Sequence, residues 1–501
     1  MTDPNPSHTP LSNPSSHALP ASGPGSLAAL NARYGARYRW LLLMAVMVGT
    51  MASIMSATVV NVAIPGLSHQ FALGQERAQW VTSGFMVAST VAMLTTPWLL
   101  ARFGYRATYS GCMWLLMAGG VLGGVAQTFE LVLAARVAEG LAAGVVQPIP
   151  AIIIMRAFEP HEQGRASSLF GMGVVLAPAI GPSIGGLLVD WFDWRSIFFM
   201  VVPFCLVCLW MARHFVPTTG PGGMAANRAE SLDWVGLALG SLGTLSLLNG
   251  LVALRSGPAW QAAPLLGVAV LASLSFVGWQ RRRAGRGQTP LMNLQLFAWR
   301  PFAMGALVAL IYGTALFGST YLLPVYMQMA LGLSAASVGT ILLPAGLALA
   351  VAIAVVGRLA DVRPPGELVN MGLALLALSF ALMVMMDMHT SLWWLMGFTV
   401  VGRIGLGFIL PSLNLGALRG LDKALLAQGS SAINFVRMLG GAAGVSLCGI
   451  VLEWRLAAHG TSLADTARPG ARLAAFDEVF LMLAALCALA MLAARRLTPP
   501  S

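Results

Sequence analysis

The chain has 501 residues, 57% of them apolar and only 9% charged, with a mean hydropathy of +0.77. Soluble domains carry roughly 25% charged residues, so a water-solvated fold is excluded: it would lack the polar side chains to cover its surface. A formal net charge of +11 raises the question of a nucleic-acid partner, which the placement of the basic residues answers below.

Residues 1–39 are rich in Pro, Ser, Asn and Ala and end in Arg33, Arg37 and Arg39. The basic residues come late, and no small-residue cleavage site follows a short apolar core. The segment therefore reads as a disordered cytoplasmic tail, not a removable signal. Apolar runs long enough to cross a ~30 Å hydrocarbon layer then recur along almost the whole chain. They are continuous rather than alternating, which selects helices over barrel strands. Six fall near 40–65, 79–100, 107–127, 131–155, 166–189 and 196–213. A polar, Gly/Pro-rich stretch at 214–232 leads to two more, near 233–254 and 261–280, and a basic linker follows at 281–300. The last six lie near 302–323, 336–357, 368–387, 392–416, 429–453 and 474–494. The expectation is an all-α membrane protein with fourteen transmembrane helices arranged six, two, six. An N-terminal bundle covers 40–213, a linker with two extra helices covers 214–300, and a C-terminal bundle covers 301–495 before a short tail at 496–501.

Basic residues test this arrangement independently, because cytoplasmic loops are enriched in Lys and Arg. With both termini inside, 20 of the 29 fall on the cytoplasmic side, 6 outside, and Arg136, Arg403 and Arg437 in mid-span. The basic excess is a topology signal, and no nucleic acid is needed to explain it. The cluster Arg281–Arg283 reads first as a topology anchor and second as a site for anionic lipid. The five cysteines, Cys112, Cys205, Cys208, Cys448 and Cys487, all fall inside apolar spans and read as packing residues.

Several residues carry chemistry. Span four holds Arg136 and Glu139, three residues apart and so on one helix face. An Arg in mid-bilayer is costly and faces a polar cavity or a partner. Glu139 is the one acidic residue placed deep within a span, and all seven histidines fall in tails, loops or helix ends. A buried carboxylate tuned by a neighbouring Arg can titrate as solvent access alternates. Glu139 thus has two readings: a proton-coupling group, or a static partner for Arg136 or Arg403. Span five carries Gly171, Pro178, Gly181, Pro182, Gly185 and Gly186, small residues that allow close helix approach and prolines that remove backbone donors. The second span is followed by Arg102, Gly104 and Arg106, and the tenth by Gly357 and Asp361, an echo expected of two related halves. Polar residues within spans give a candidate substrate path: Asn61, Gln147, Tyr321, Gln328, Arg403, Asn414, Asn434 and Arg437. Each is alternatively a helix–helix hydrogen bond.

With these motifs in place, the chain resembles the major facilitator superfamily, specifically its fourteen-span drug:proton antiporter branch of EmrB/QacA type, over about residues 40–494. Span five is similar to the family's antiporter motif, Arg136 to Gly140 to its Arg-x-x-Gln-Gly motif, and the 102–106 and 357–361 segments to its gating loops. The resemblance implies export of small amphipathic molecules in exchange for protons by alternating access. It also implies a periplasmic adaptor and an outer-membrane channel as partners, although no docking motif is present. Two positions depart from the pattern. Ser56 stands where the first span of the family carries an acid, and Ala101 replaces the acid of the first gating loop. Coupling therefore moves to Glu139 or is altered, and an uncoupled or differently coupled metabolite exporter is the alternative. A phosphate-binding Gly-rich loop, a His-Glu-x-x-His motif, other metal spacing and a nucleophile elbow are all lacking, so neither an enzyme nor a cofactor is expected. The Cys-poor, Arg-rich composition suits a bacterial inner membrane.

Overall fold

The computed structural model describes residues 25–72, 75–220, 226–229, 231–256, 259–387, 390–463 and 468–497. Residues 1–24 of the expected tail and 498–501 lie outside this set. The end of the tail departs from the expectation. Leu27–Tyr34 forms a helix, α1, because Ser26 Oγ caps Ala29 N at 3.2 Å and Leu30 is buried. Thr218 N donates to Gly25 O at 2.9 Å, which fastens this helix to the segment after the first bundle.

The first half continues with α2 (Tyr38–Gln70), α3 (Gln75–Met93), α4 (Thr96–Gly124), α5 (Phe129–Val146) and α6 (Ile149–Ala157). It closes with α7 (Gln163–Trp191), the short α8 (Ser196–Phe199) and α9 (Val201–Phe215). A hairpin of α10 (Trp234–Ser256) and α11 (Ala259–Gly285) follows. The second half consists of α12 (Arg300–Val325), α13 (Ala335–Val362), α14 (Pro365–Met383), α15 (Leu392–Leu418), α16 (Leu426–Ala458) and α17 (Pro469–Ala494). Among the described residues, eleven helices are long and apolar enough to cross a membrane. The count is up to twelve if the bent pair Trp80–Met93 and Thr96–Gly124, at 81° to each other, is one span.

Breaks in the helices sit where the sequence demands them. Pro148 and Pro150 end α5 and begin α6 because a proline supplies no N–H to the preceding turn. Gly104 interrupts α4 with φ +78°, a conformation a side chain resists. A Cβ there would also press on the carbonyl of Thr219 at 3.2 Å.

Small residues set the spacing between neighbours, as hydrocarbon gives helices no hydrophobic incentive to associate. On α5, Gly140 and Gly144 face the α3 backbone at Phe85 and Ser89. On α7, Gly181 and Gly185 face Val59 of α2, each with room for a Cβ only 3.0 Å away. In the second half, Gly440 and Gly444 of α16 receive α12 at Leu310 and Thr314, and Thr314 Oγ1 donates to Gly440 O at 2.9 Å. All five cysteines are buried and free.

The α10–α11 hairpin is clamped by Asp233, which caps the start of α10. Its Oδ1 accepts from Gly236 N at 2.9 Å and from Trp279 Nε1 at 2.8 Å, and its Oδ2 accepts from Gln280 Nε2 at 2.8 Å. Arg283 of the basic linker approaches the same carboxylate at 3.7 Å. Asp233→Ala strips an acceptor from buried donors, a loss of about 1–3 kcal/mol. The thermal midpoint of the detergent-solubilised protein is expected to fall by a few degrees, with partial recovery in Asp233→Asn. Scanning fluorimetry giving the wild-type midpoint for the alanine variant would refute the clamp.

Candidate translocation path and coupling site

Arg136 and Glu139 lie on the buried face of α5, each 1% exposed, and Arg136 Nη1 donates to Glu139 Oε2 at 2.6 Å. The same nitrogen reaches Ser56 of α2, donating to its backbone O and its Oγ at 3.1 Å each. Arg136 Nε donates to Val81 O of α3 at 3.2 Å, and the guanidinium stacks 4.4 Å from the Phe85 ring centroid. Its Nη2 is buried with no hydrogen-bond partner. Gly119 and Gly120 of α4 form the wall behind Glu139: a Cβ on Gly119 would sit 2.7 Å from Glu139 Cγ. The pair is thus held between three helices, and the glutamate is matched to Arg136, not to Arg403. Ser56, standing where an acid was expected by resemblance, supplies a hydroxyl to the same cluster.

A second polar cluster joins the two halves. Arg437 of α16 donates from Nη2 to Asn434 Oδ1 at 3.0 Å and to Gln147 Oε1, at the break between α5 and α6, at 3.4 Å. Ser430 Oγ donates to Pro148 O at 2.8 Å, and Ser431 Oγ donates to Met93 O. Both acceptors lie at helix breaks: Met93 ends α3, and Pro148, whose carbonyl also accepts from Ile152 N at 3.4 Å, precedes α6. Three of the expected path residues, Gln147, Asn434 and Arg437, therefore meet in one seam. Ser430, Ser431 and Met93 were not anticipated. The signal available was the serine pair one turn before Asn434, opposite the proline-rich break.

The remaining path candidates disperse. Asn414 lines a small cavity between α6, α7 and α15, with Met155, Ser167, Gly171 and Pro411. Arg403 lines another small one inside the second half, among α12, α14 and α15. Asn61 is exposed and accepts from Thr82 Oγ1 at 3.1 Å. Gln328 is also exposed, in a one-turn π-helical stretch at Tyr326–Ala330, and Tyr321 is half-buried one turn before it. None of these three joins the seam contacts.

The gating residues divide between two places. Asp361, at the end of α13, accepts from Gly164 N at 2.8 Å and faces Arg165 at 3.5 Å, so it latches the start of α7. Gly357 packs on Ser168 there, and Arg419 Nη2 donates to Pro160 O at 3.2 Å. Arg106 and Gly104 instead bind the segment after α9. Arg106 donates from Nε to Val216 O at 2.7 Å and from its backbone N to Pro217 O at 2.9 Å. Arg102 stacks on Trp98 and Phe103. The two gating segments are equivalent in position along their halves but grip different partners. In the span-five motif, Gly171 faces Ile353 of α13, Gly181 and Gly185 face α2, and Gly186 is open. The side chains of Pro178 and Pro182 lie outside the described residues.

Membrane-length helices in two halves, joined by a polar seam and latched at one end, define a multi-pass membrane carrier. The Major Facilitator Superfamily matches residues 46–445, and the chain belongs to that family. It is a transporter and not an enzyme. It is 25% identical over 424 residues to the uncharacterized MFS-type transporter YhcA of Bacillus subtilis, covering 85% of this chain and 78% of that one. It is 29% identical over 419 residues to a multidrug resistance protein B homolog of Mycobacterium tuberculosis, covering 81% and 75%. Among solved structures, the proton:xylose symporter XylE shares the fold with a TM-score of 0.64 at 12% identity, over 92% of this chain and 95% of that one.

A side chain at Gly357 must displace Ser168 and the α7 backbone, which would unlatch this end. In a Ser167→Cys background, Gly357→Val is expected to raise labelling by a membrane-impermeant maleimide several-fold. Unchanged labelling would mean that the α7–α13 contact does not control access to the Ser167 cavity.

Proposed function

We propose that the protein exports small amphipathic, drug-like molecules across a bacterial inner membrane by proton-coupled antiport. The Arg136–Glu139 pair, buried beside Ser56, is the observation that carries this reading. An ion pair in a low-dielectric site is held at the expense of desolvating both members. When the halves rock and water reaches the site, protonation of Glu139 becomes competitive and releases Arg136 from the ion pair, leaving it on Ser56 and Val81. Proton uptake is thereby tied to helix movement around the seam at Gln147, Asn434 and Arg437. Asn61, Tyr321, Gln328, Arg403 and Asn414 complete the proposed path, and the motif from Gly171 to Gly186 is the pivot surface of α7. Opening at the latched end depends on Asp361 and Gly357, while Arg102, Gly104 and Arg106 brace the first half. The similarity to the mycobacterial multidrug resistance protein B homolog supports efflux as the direction.

The proposed topology has fourteen spans with both termini cytoplasmic, as in the EmrB/QacA branch. It takes α3 and α4 as two spans, counts the 29-residue α7, and treats α10–α11 as the insert between the halves. The excess of Lys and Arg in the proposed cytoplasmic loops supports this orientation. Membrane lipids surround the insert, and a periplasmic adaptor with an outer-membrane channel belongs to the proposal by resemblance alone. The second reading, an uncoupled or differently coupled metabolite exporter, draws on the neutral Ser56 and Ala101.

The test is efflux of a xanthene dye from proteoliposomes under an imposed pH gradient. Glu139→Gln keeps the shape and an acceptor for Arg136 but cannot titrate. It is expected to reduce gradient-driven flux at least about tenfold while leaving gradient-free exchange intact. Equal gradient-driven flux in wild type and variant removes Glu139 as the coupling group. Wild-type flux that persists after the gradient is collapsed favours the uncoupled exporter.

A further inference from the structure

We infer that the molecule carried through the seam bears an oxyanion, such as a carboxylate, sulfonate or phosphate, seated by the second-half arginines Arg437 and Arg403. The inference rests on the reading of the seam as the translocation path. The mid-helix arginines Arg136, Arg403 and Arg437 are not equivalent. Arg136 has its carboxylate partner in Glu139 at 2.6 Å. Arg437 is held only by neutral amides, those of Asn434 and Gln147, and its Nε is buried without a partner. Arg403 faces a cavity lined by Ser319, Ser379 and Thr399 together with apolar residues. Among the described residues, neither Arg437 nor Arg403 forms an ion pair.

Tyr312 of α12, 4% exposed, precedes Gly313, which packs on the Arg437 backbone, and α12 also reaches the Arg403 cavity through Ser319. The second half thus holds two arginines and a phenol at mid-helix, and its ion-paired carboxylates, Asp361, Glu367 and Glu478, are matched to other cations. An unpaired cation in this setting is costly unless water or a ligand answers it. A guanidinium is built to take an oxyanion through two parallel hydrogen bonds. The apolar residues around Arg403 would accept the hydrophobic body, and Gln147 adds a neutral contact from the other half. A cationic amphiphile would instead meet two like charges, which disfavours it.

The test compares two xanthene dyes of similar size, the polyanion carboxyfluorescein and the cation rhodamine 6G. Their binding to purified protein in neutral detergent and chloride-free buffer is read by fluorescence anisotropy, which needs neither a gradient nor flux. Wild type is expected to prefer carboxyfluorescein. Arg437→Gln and Arg403→Gln are each expected to weaken it about tenfold or more, as losing a charge-assisted contact does, and to leave rhodamine 6G unchanged or tighter. Arg437→Lys and Arg403→Lys keep the charge but lose the paired donors and are expected to bind carboxyfluorescein more tightly than the glutamine variants and more weakly than wild type, a graded order that misfolding would not give. Competition by short-chain phosphatidylglycerol would assign the same chemistry to a lipid headgroup, and its absence to a soluble amphiphile. Tighter binding of rhodamine 6G by wild type, or carboxyfluorescein binding that ignores both neutral substitutions, overturns the inference. Arginine-dependent anion binding without gradient-driven flux would leave it standing while the antiport reading fails.

Discussion

Inside a hydrocarbon layer every backbone carbonyl, amide and charge must be answered by protein, since no water is there to do it. Straight helices meet this demand internally; broken ones do not. Here α16 brings Ser431 and Ser430 to the carbonyls of Met93 and Pro148, at the breaks between α3 and α4 and between α5 and α6. Within the π-helical stretch, Met329 O accepts from Arg472 of α17 at 2.7 Å. Each defect in a helix has become a contact to another helix, and two of these contacts join the halves.

The same demand shapes the charged sites. Arg136 spends its donors on Glu139, Ser56 and the Val81 carbonyl, so that α2, α3 and α5 converge on one guanidinium. Glycines at 119 and 120 let α4 approach closely enough to exclude water from that cluster. Among the described residues, the mid-depth arginines of the second half have no such ion pair: Arg437 is held by amides and Arg403 lines a cavity. The similar helix layout of the two halves conceals this asymmetry.

Helix positions were legible in the sequence because hydrophobic run length is a direct physical requirement of the membrane. The Arg136–Glu139 contact was legible for a related reason: a three-residue spacing on a helix admits one geometry. Long-range partners were not. Nothing in the local pattern says that Arg106 turns toward Val216 while Asp361 reaches across to Gly164, because the two gating segments are alike in sequence and differ in what packs beside them. Asn61 and Gln328 were grouped with the path on polarity alone, yet helix rotation, which polarity does not encode, leaves both exposed. The helix at Leu27–Tyr34 was missed because its stability comes from a cap and a distant backbone contact rather than from composition.

The serine contacts of α16 have a further consequence. On one side of each is a main-chain carbonyl, which no amino-acid replacement can delete; on the other is a hydroxyl that a single codon change removes. Variation along α3 and α6 therefore leaves the acceptors in place, whereas the grip between the halves can be loosened in small steps by edits to one helix. A lineage adapting this carrier to a new cargo has in residues 430–437 a ready dial for how easily the two halves part, separate from the latch at Asp361.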